Sequence, residues 1–293
     1  GTPANGTVSV GDVINGGAGT DTMVLKVANG NPSSATVPTL TNIETLQIDA
    51  LVATSVTMTG ISPSDNVVVN GPSSTVAFTA APVALDTYTI KDIKQDGADI
   101  TVTNVAGLTS GSADTLTLNL ADSTAASPST AGNSSLVTFT GAAASDGWDV
   151  VNVVATGTNR LQGLVVTDSA PASTMDSLTV TGSGSLRIET ALDFSGTTGT
   201  WDSSGSTGAM NVGFGTEDIT ATFGAGDDRA TVGTAADLTS ADTINMGAGD
   251  DTFGWAELAT TTALNTTLTA AVSNFETLEF TAAITAVDFD LLG

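Results

Sequence analysis

The 293-residue chain contains no cysteine and no histidine. The first absence excludes disulfides and thiolate sites, and is compatible with export from a bacterium. The second removes the commonest general base and the commonest zinc ligand. Aromatic residues are only 4% and charged residues 13%, with six Lys and Arg against 31 Asp and Glu. A net charge of −25 makes nucleic acid a poor partner, because neutralising phosphates needs cationic side chains. No run of about 18 apolar residues occurs, so no membrane-spanning helix is expected. Gly1 opens neither a signal peptide nor a transit segment, and the chain reads as a segment of a longer polypeptide.

What is present is a chain rich in Thr, Ser, Ala, Gly and Val, 40% hydrophobic and of positive mean hydropathy. That is too apolar for a disordered tail, and too poor in large side chains for a thick globular core. Short runs of β-branched residues recur, such as Ser55–Met58, Tyr88–Ile90, Thr115–Leu120 and Val150–Val154, with Gly, Asn-Gly, Ser-Pro and Asp-Gly between them. Their intervals of 10–20 residues fit a stack of coils or a string of sandwich domains. The near absence of Trp and Tyr and of any repeating unit of about 90–100 residues favours the stack. The fold expected is all-β, a parallel β-solenoid of about 14 coils at roughly 20 residues each, some 65–70 Å long. Leu258–Leu268 is the best candidate for a short helix.

One module occurs twice. Asp12-Val-Ile-Asn-Gly-Gly-Ala-Gly-Thr-Asp-Thr-Met23 is matched by Asp242-Thr-Ile-Asn-Met-Gly-Ala-Gly-Asp-Asp-Thr-Phe253. Each is followed by a tag, Asn42-Ile-Glu-Thr-Leu-Gln-Ile48 or Asn274-Phe-Glu-Thr-Leu-Glu-Phe280, and a half-match, Phe223-Gly-Ala-Gly-Asp-Asp228, precedes the second copy. Residues 16–24 fit the nonapeptide Gly-Gly-x-Gly-x-Asp-x-apolar-x of Ca²⁺-binding β-rolls. Gly permits positive φ, so the turn is tight and aims backbone carbonyls inward. The Asp adds a carboxylate, and hard Ca²⁺ takes six to eight such oxygens. Asp12 and Asp242 lie nine positions before Asp21 and Asp251, in the same register. The turns 224–228 and 247–251 form the natural pair around one ion, with Asp242 on the opposite half-coil. The candidate metal residues are Asp12, Gly16, Ala18, Asp21, Gly224, Gly226, Asp227, Asp228, Asp242, Gly247, Gly249, Asp250 and Asp251, and the cofactor is Ca²⁺.

At Gly11–Asp21, Ile43-Glu-Thr45, Met246–Thr252 and Phe275-Glu-Thr-Leu278 the chain resembles the RTX-type bacterial surface-layer (S-layer) proteins. The likeness covers the whole chain in layout and is specific at residues 11–24, 42–48, 223–228 and 242–280. It implies calcium-stabilised RTX-like Gly-Asp turns, type I secretion, and self-assembly of identical subunits into a two-dimensional lattice on the cell surface. It also implies contact with the cell envelope, such as lipopolysaccharide, through a region outside this segment. By the family's pattern the carboxylates of Asp21, Asp228 and Asp251 are ligands, with the carbonyls of Gly16, Ala18, Gly224, Gly226, Gly247 and Gly249 nearby. Phe223 and Met246 stand where the pattern has Gly. Three segments are expected along one rod: a calcium module over 1–48, a Thr/Ser/Ala-rich solenoid over 49–215 and a second calcium module over 216–293.

Other residues invite other readings. Asp96-Gly-Ala-Asp99 and Asp146-Gly-Trp-Asp149 read as acidic turns or further calcium turns. Glu44 and Glu276 read as a calcium or backbone partner, or as solvent-facing strand residues. Trp148, Trp201 and Trp255 read as local packing or as sugar-stacking platforms. A secreted RTX adhesin stalk shares the calcium turns but normally shows tandem repeats. A polysaccharide-active β-helix enzyme needs paired carboxylates beside cationic or aromatic groups. Arg187 and Glu189 share one strand face, the placement of a salt bridge, and no residue is assigned to catalysis.

Overall fold

The computed structural model describes residues 12–27, 35–36, 38–59, 65–104, 107, 114–124, 134–144, 146–170, 172–233, 237–255, 268 and 270–280. Strands form where apolar residues alternate with Thr, Ser or Asn, since successive side chains of a strand point to opposite faces. Thr115–Ala121 shows the rule: Leu116, Leu118 and Leu120 are buried while Thr117 and Asn119 lie on the outer side. Every neighbouring pair of strands is parallel, each residue lying beside the one a full coil later. From Thr54–Thr57 onward, successive strands go alternately to two sheets of eleven strands. The chain is therefore a β-solenoid with two broad faces. The first sheet runs from Thr22–Val27 to Val272–Ser273, the second from Ala35–Thr36 to Thr277–Phe280, and Val13–Asn15 pairs separately with Thr39–Thr41.

Coil length departs from the expected 20 residues. It is 20 from Trp201 to Ala221 but 35 from Leu118 to Val153. Longer coils mean that the same chain makes fewer coils than fourteen. Ten steps between eleven strands span about 48 Å, not 65–70 Å. Apart from Val13–Asn15 and Thr39–Thr41, the described strands of the segments expected over 1–48, 49–215 and 216–293 all join the same two sheets. Of the helix expected over Leu258–Leu268, only Leu268 is described, in helical backbone, and the rest lies outside the described residues.

The core is the narrow slab between the sheets, filled by Val, Leu, Ile and Ala. Its few aromatics are grouped. Tyr88, Phe139 and Trp148 pack edge-on with centroids 5.1 and 5.6 Å apart, and Trp201 contacts Phe214 and Phe223 at 6.3 and 5.7 Å. Trp148, Trp201 and Trp255 are 0%, 1% and 3% exposed, so none is a surface platform. On the outer face Glu189 takes a 2.7 Å hydrogen bond from Arg160 Nε across one coil, and Arg187 lies 3.8 Å away.

Candidate metal centre

The Gly-Asp turns stand at the corners where the chain passes from one face to the other. Residues 223–228 lead into Arg229–Val232, and residues 246–251 into Thr252–Trp255, which pairs with it in the second sheet. The two turns are therefore stacked one coil apart. Tight stacking explains their glycines: a Cβ at Gly247 or Gly249 would meet the carbonyl oxygen of Gly224 or Gly226 at 2.2 or 2.3 Å. Gly247 and Gly249 also hold φ of 91° and 150°, and Gly17 and Gly19 match them at 94° and 126°. Only glycine adopts such angles freely.

Each turn delivers a carboxylate into the stack, and the carboxylates form a ladder. Met210 N–H donates to Asp228 Oδ1, Asp228 N–H to Asp251 Oδ1, and Asp251 N–H to Glu276 Oε2, each at 2.7 Å. Asp21 N–H donates to Glu44 Oε2 at the same distance. Asp228 and Asp251 are 2% and 0% exposed. Their Oδ2 atoms, and that of Asp21, are buried with no hydrogen-bond partner. An ionised carboxylate accepts at both oxygens, so a buried bare oxygen calls for a cation or a proton. Burial first, then the negative charge of Asp251 and Asp227, pushes the Asp228 carboxyl up to about 6, against the pull of the Met210 and Gly224 amides. Asp251 also shifts upward, through burial and then the charges of Glu276, Asp227 and Asp250, opposed by the Asp228 amide.

The chemistry of each of these oxygens suits a hard cation such as Ca²⁺, which takes carboxylate and carbonyl oxygen. Among the described residues no group of three or more acidic side chains converges on one point. Most ligands would therefore be turn carbonyls. The Gly224 carbonyl already accepts the Ala248 N–H at 2.9 Å, leaving one lone pair. The other candidates are placed differently. Asp227 Oδ1 accepts the Asp250 N–H at 3.0 Å, a brace between the two turns, while Asp250 is exposed. Asp242 immediately precedes the Thr243–Asn245 strand of the first sheet, on the opposite edge. Its two oxygens take the Ile219 and Thr239 N–H groups at 2.6 Å each, so it caps backbone. Asp12, its counterpart, is exposed and precedes Val13–Asn15. Gly16 and Ala18 belong to the turn ending at Asp21, where a Cβ on Gly16 would meet the Asn42 carbonyl at 2.1 Å.

The other acidic turns are cross-coil braces. Asp99 Oδ1 accepts the Leu136 N–H at 2.9 Å, and buried Asp146 accepts the Gly107 N–H at 3.3 Å. Asp149 Oδ2 accepts the Asp114 N–H at 3.3 Å.

Four asparagines escaped the sequence reading. Asn15 Oδ1 accepts the Gly17 N–H at 3.0 Å and the Asn42 side-chain amide at 2.9 Å. Asn245 Oδ1 accepts from Gly247 N–H at 3.1 Å and the Asn274 amide at 2.7 Å. The signal was available: all four sit at fixed offsets inside the duplicated module. No protein family, curated protein or solved structure matches the chain.

Proposed function

We propose that the chain is a calcium-binding, non-catalytic structural segment of an RTX-type bacterial surface-layer protein, exported by type I secretion and assembling with its own copies into a two-dimensional lattice. One observation carries the calcium part of this reading. Left-handed glycines of matched position, Gly17 and Gly19 in one copy and Gly247 and Gly249 in the other, shape a Gly-Asp turn near each end of the described solenoid, and Asp21, Asp228 and Asp251 each hold a buried carboxylate oxygen without a partner. Those carboxylates, with carbonyls of the same turns, would hold the ion. Bound Ca²⁺ would neutralise the crowded carboxylates and offset part of the −25 charge, so that copies that repel one another without metal approach. The rod supplies length and regular outer faces. Attachment to the envelope is assigned to a region outside this segment.

The affinity expected is roughly 10⁻⁴–10⁻³ M, as in extracellular calcium modules. Electron microscopy and circular dichroism with Ca²⁺ and after exhaustive EGTA test the reading. Ordered sheets that disperse on chelation support it; unchanged assemblies with an unchanged spectrum overturn it.

A further inference from the structure

The tag that follows each Gly-Asp turn is itself a motif without an assigned role. In both copies it reaches back one coil and grips the turn at its two ends. At the near end, the Asn42 amide meets the Asn15 Oδ1 that also holds the Gly17 N–H, and Asn274 does the same to Asn245 and Gly247. At the far end, the Glu44 and Glu276 carboxylates hold the Asp21 and Asp251 N–H groups, both at 2.7 Å. Asn42 and Asn274 also share left-handed backbone, with φ of 52° and 57°, which Asn tolerates better than most residues other than glycine. Asp and Glu are 23 residues apart in one copy and 25 in the other. The contacts are the same although the chain between them differs in length.

The ladder explains why the far grip is a glutamate. Within the second stack the N–H of Asp228 is held by the carboxylate of the next turn, Asp251. The N–H of Asp251 has no further Gly-Asp turn above it, and Glu276 takes that place. The longer side chain reaches back from a coil whose Thr277–Phe280 strand pairs directly with Thr252–Trp255. A neutral acceptor would hold the same N–H without adding negative charge beside Asp251. A carboxylate suits the position when a cation sits at the turn. The left-handed glycines make the turn a conformation that needs such outside support.

We propose that Asn42 with Glu44, and Asn274 with Glu276, are positioning residues of the calcium turns, setting the turn backbone so that the Asp carboxylate and the carbonyls are ready for the ion. This rests on the calcium reading above. The tag is thus the closing half of each module, and the ion and the tag strand stabilise each other.

The test uses the full chain carrying Glu44→Ala with Glu276→Ala, the same positions changed to Gln, and Asn42→Gly with Asn274→Gly. Two quantities are read: Ca²⁺ binding by calorimetry, and amide hydrogen exchange at Asp21 and Asp251 in EGTA. The Ala pair is expected to weaken Ca²⁺ binding about 10–100-fold, the usual effect of losing a group that orients a ligand, and to speed exchange at both amides. The Gln pair keeps an acceptor oxygen and is expected to restore protection and affinity to within a few-fold of wild type. The Gly pair keeps the left-handed backbone, removes only the amide grip, and is expected to lower affinity while the Asp21 and Asp251 amides stay protected. Unchanged affinity in the Ala pair overturns the proposal, and so does a Gln pair as weak as the Ala pair, which would make Glu a direct ligand. Wild type that binds no Ca²⁺ overturns the calcium reading as well, an outcome separated from the others by the wild-type titration alone. If the Ala pair fails to fold, the Gly and Gln pairs decide, the proposal falling if Gly leaves affinity unchanged or Gln abolishes it.

Discussion

Asp228→Asn separates the burden of a buried charge from the benefit of a bound ion. The carboxyl is 2% exposed and pushed up to about 6 from an ordinary 3.8. That rise corresponds to roughly 3 kcal/mol by which ionisation opposes folding when no cation is present. The sign follows from the direction: a raised folded pKa means the native state holds the proton more tightly. The stabilisation that comes with this proton is therefore fully present below about 3.8 and is lost as pH rises through about 6. Asparagine keeps the oxygen that accepts the Met210 N–H, but places an N–H₂ group where Oδ2 had no partner, at a penalty of about 1 kcal/mol. In EGTA at pH 7.5 the variant should be more stable than wild type by about 2 kcal/mol. Excess Ca²⁺ should reverse the order, since an ion at 100 times its dissociation constant stabilises the native state by about 2.7 kcal/mol. Urea unfolding followed by tryptophan fluorescence reads this, because Trp201 packs against Phe223 beside the turn. Asp149, Glu217 and Asp251 shift in the same direction, so the variant removes only one share of the pH slope. Parallel pH profiles for variant and wild type between pH 4 and 7 in EGTA would refute the reasoning.

Three further outcomes are expected. Gly249→Ala should lower stability by about 2–3 kcal/mol, whereas Gly17→Ala, with nothing within 4 Å of the new Cβ, should lose only about 1–2 kcal/mol from its backbone angle, both read by thermal unfolding. Glu189→Ala should be destabilising by about 3 kcal/mol because it leaves Arg160 without its ion-pair partner at a site 16% exposed, and pairing it with Arg160→Met should recover most of that loss in a double-mutant cycle. Trp148→Ala should destabilise by about 3–5 kcal/mol, since the ring is wholly buried and wedged against Phe139, and denaturant unfolding measures it.

Much of the architecture was readable because strand alternation is local. Leu116, Leu118 and Leu120 announce their buried face without knowledge of the neighbouring coil. The spacing between coils was not, because it depends on how much chain each turn absorbs, and turns of many lengths close the same gap at little difference in entropy. The left-handed backbone at Gly17, Gly19, Gly247 and Gly249 was legible from the glycines, because glycine alone adopts such angles freely. The ladder through Met210, Asp228, Asp251 and Glu276 was not, since each rung joins residues 18 to 25 positions apart that become neighbours only when the coils are in register. The hydrogen bonds of Asp242 were hidden for a related reason. Its offset from Asp251 suits a ligand, yet its oxygens are taken by the Ile219 and Thr239 amides.

The two copies of the duplicated module also lie on different sheets: Thr22–Val27 belongs to the first, Thr252–Trp255 to the second. Between them the chain completes a half-integral number of windings, so the turns at 16–21 and 246–251 open on opposite edges of the rod. Parity, rather than length, fixes this arrangement. Adding or deleting a whole coil would lengthen or shorten the rod and leave the modules back to back, whereas half a coil more would bring both to one side. Whatever these edges hold, a single rod offers it in two opposed directions, and the number of strands between the modules decides it.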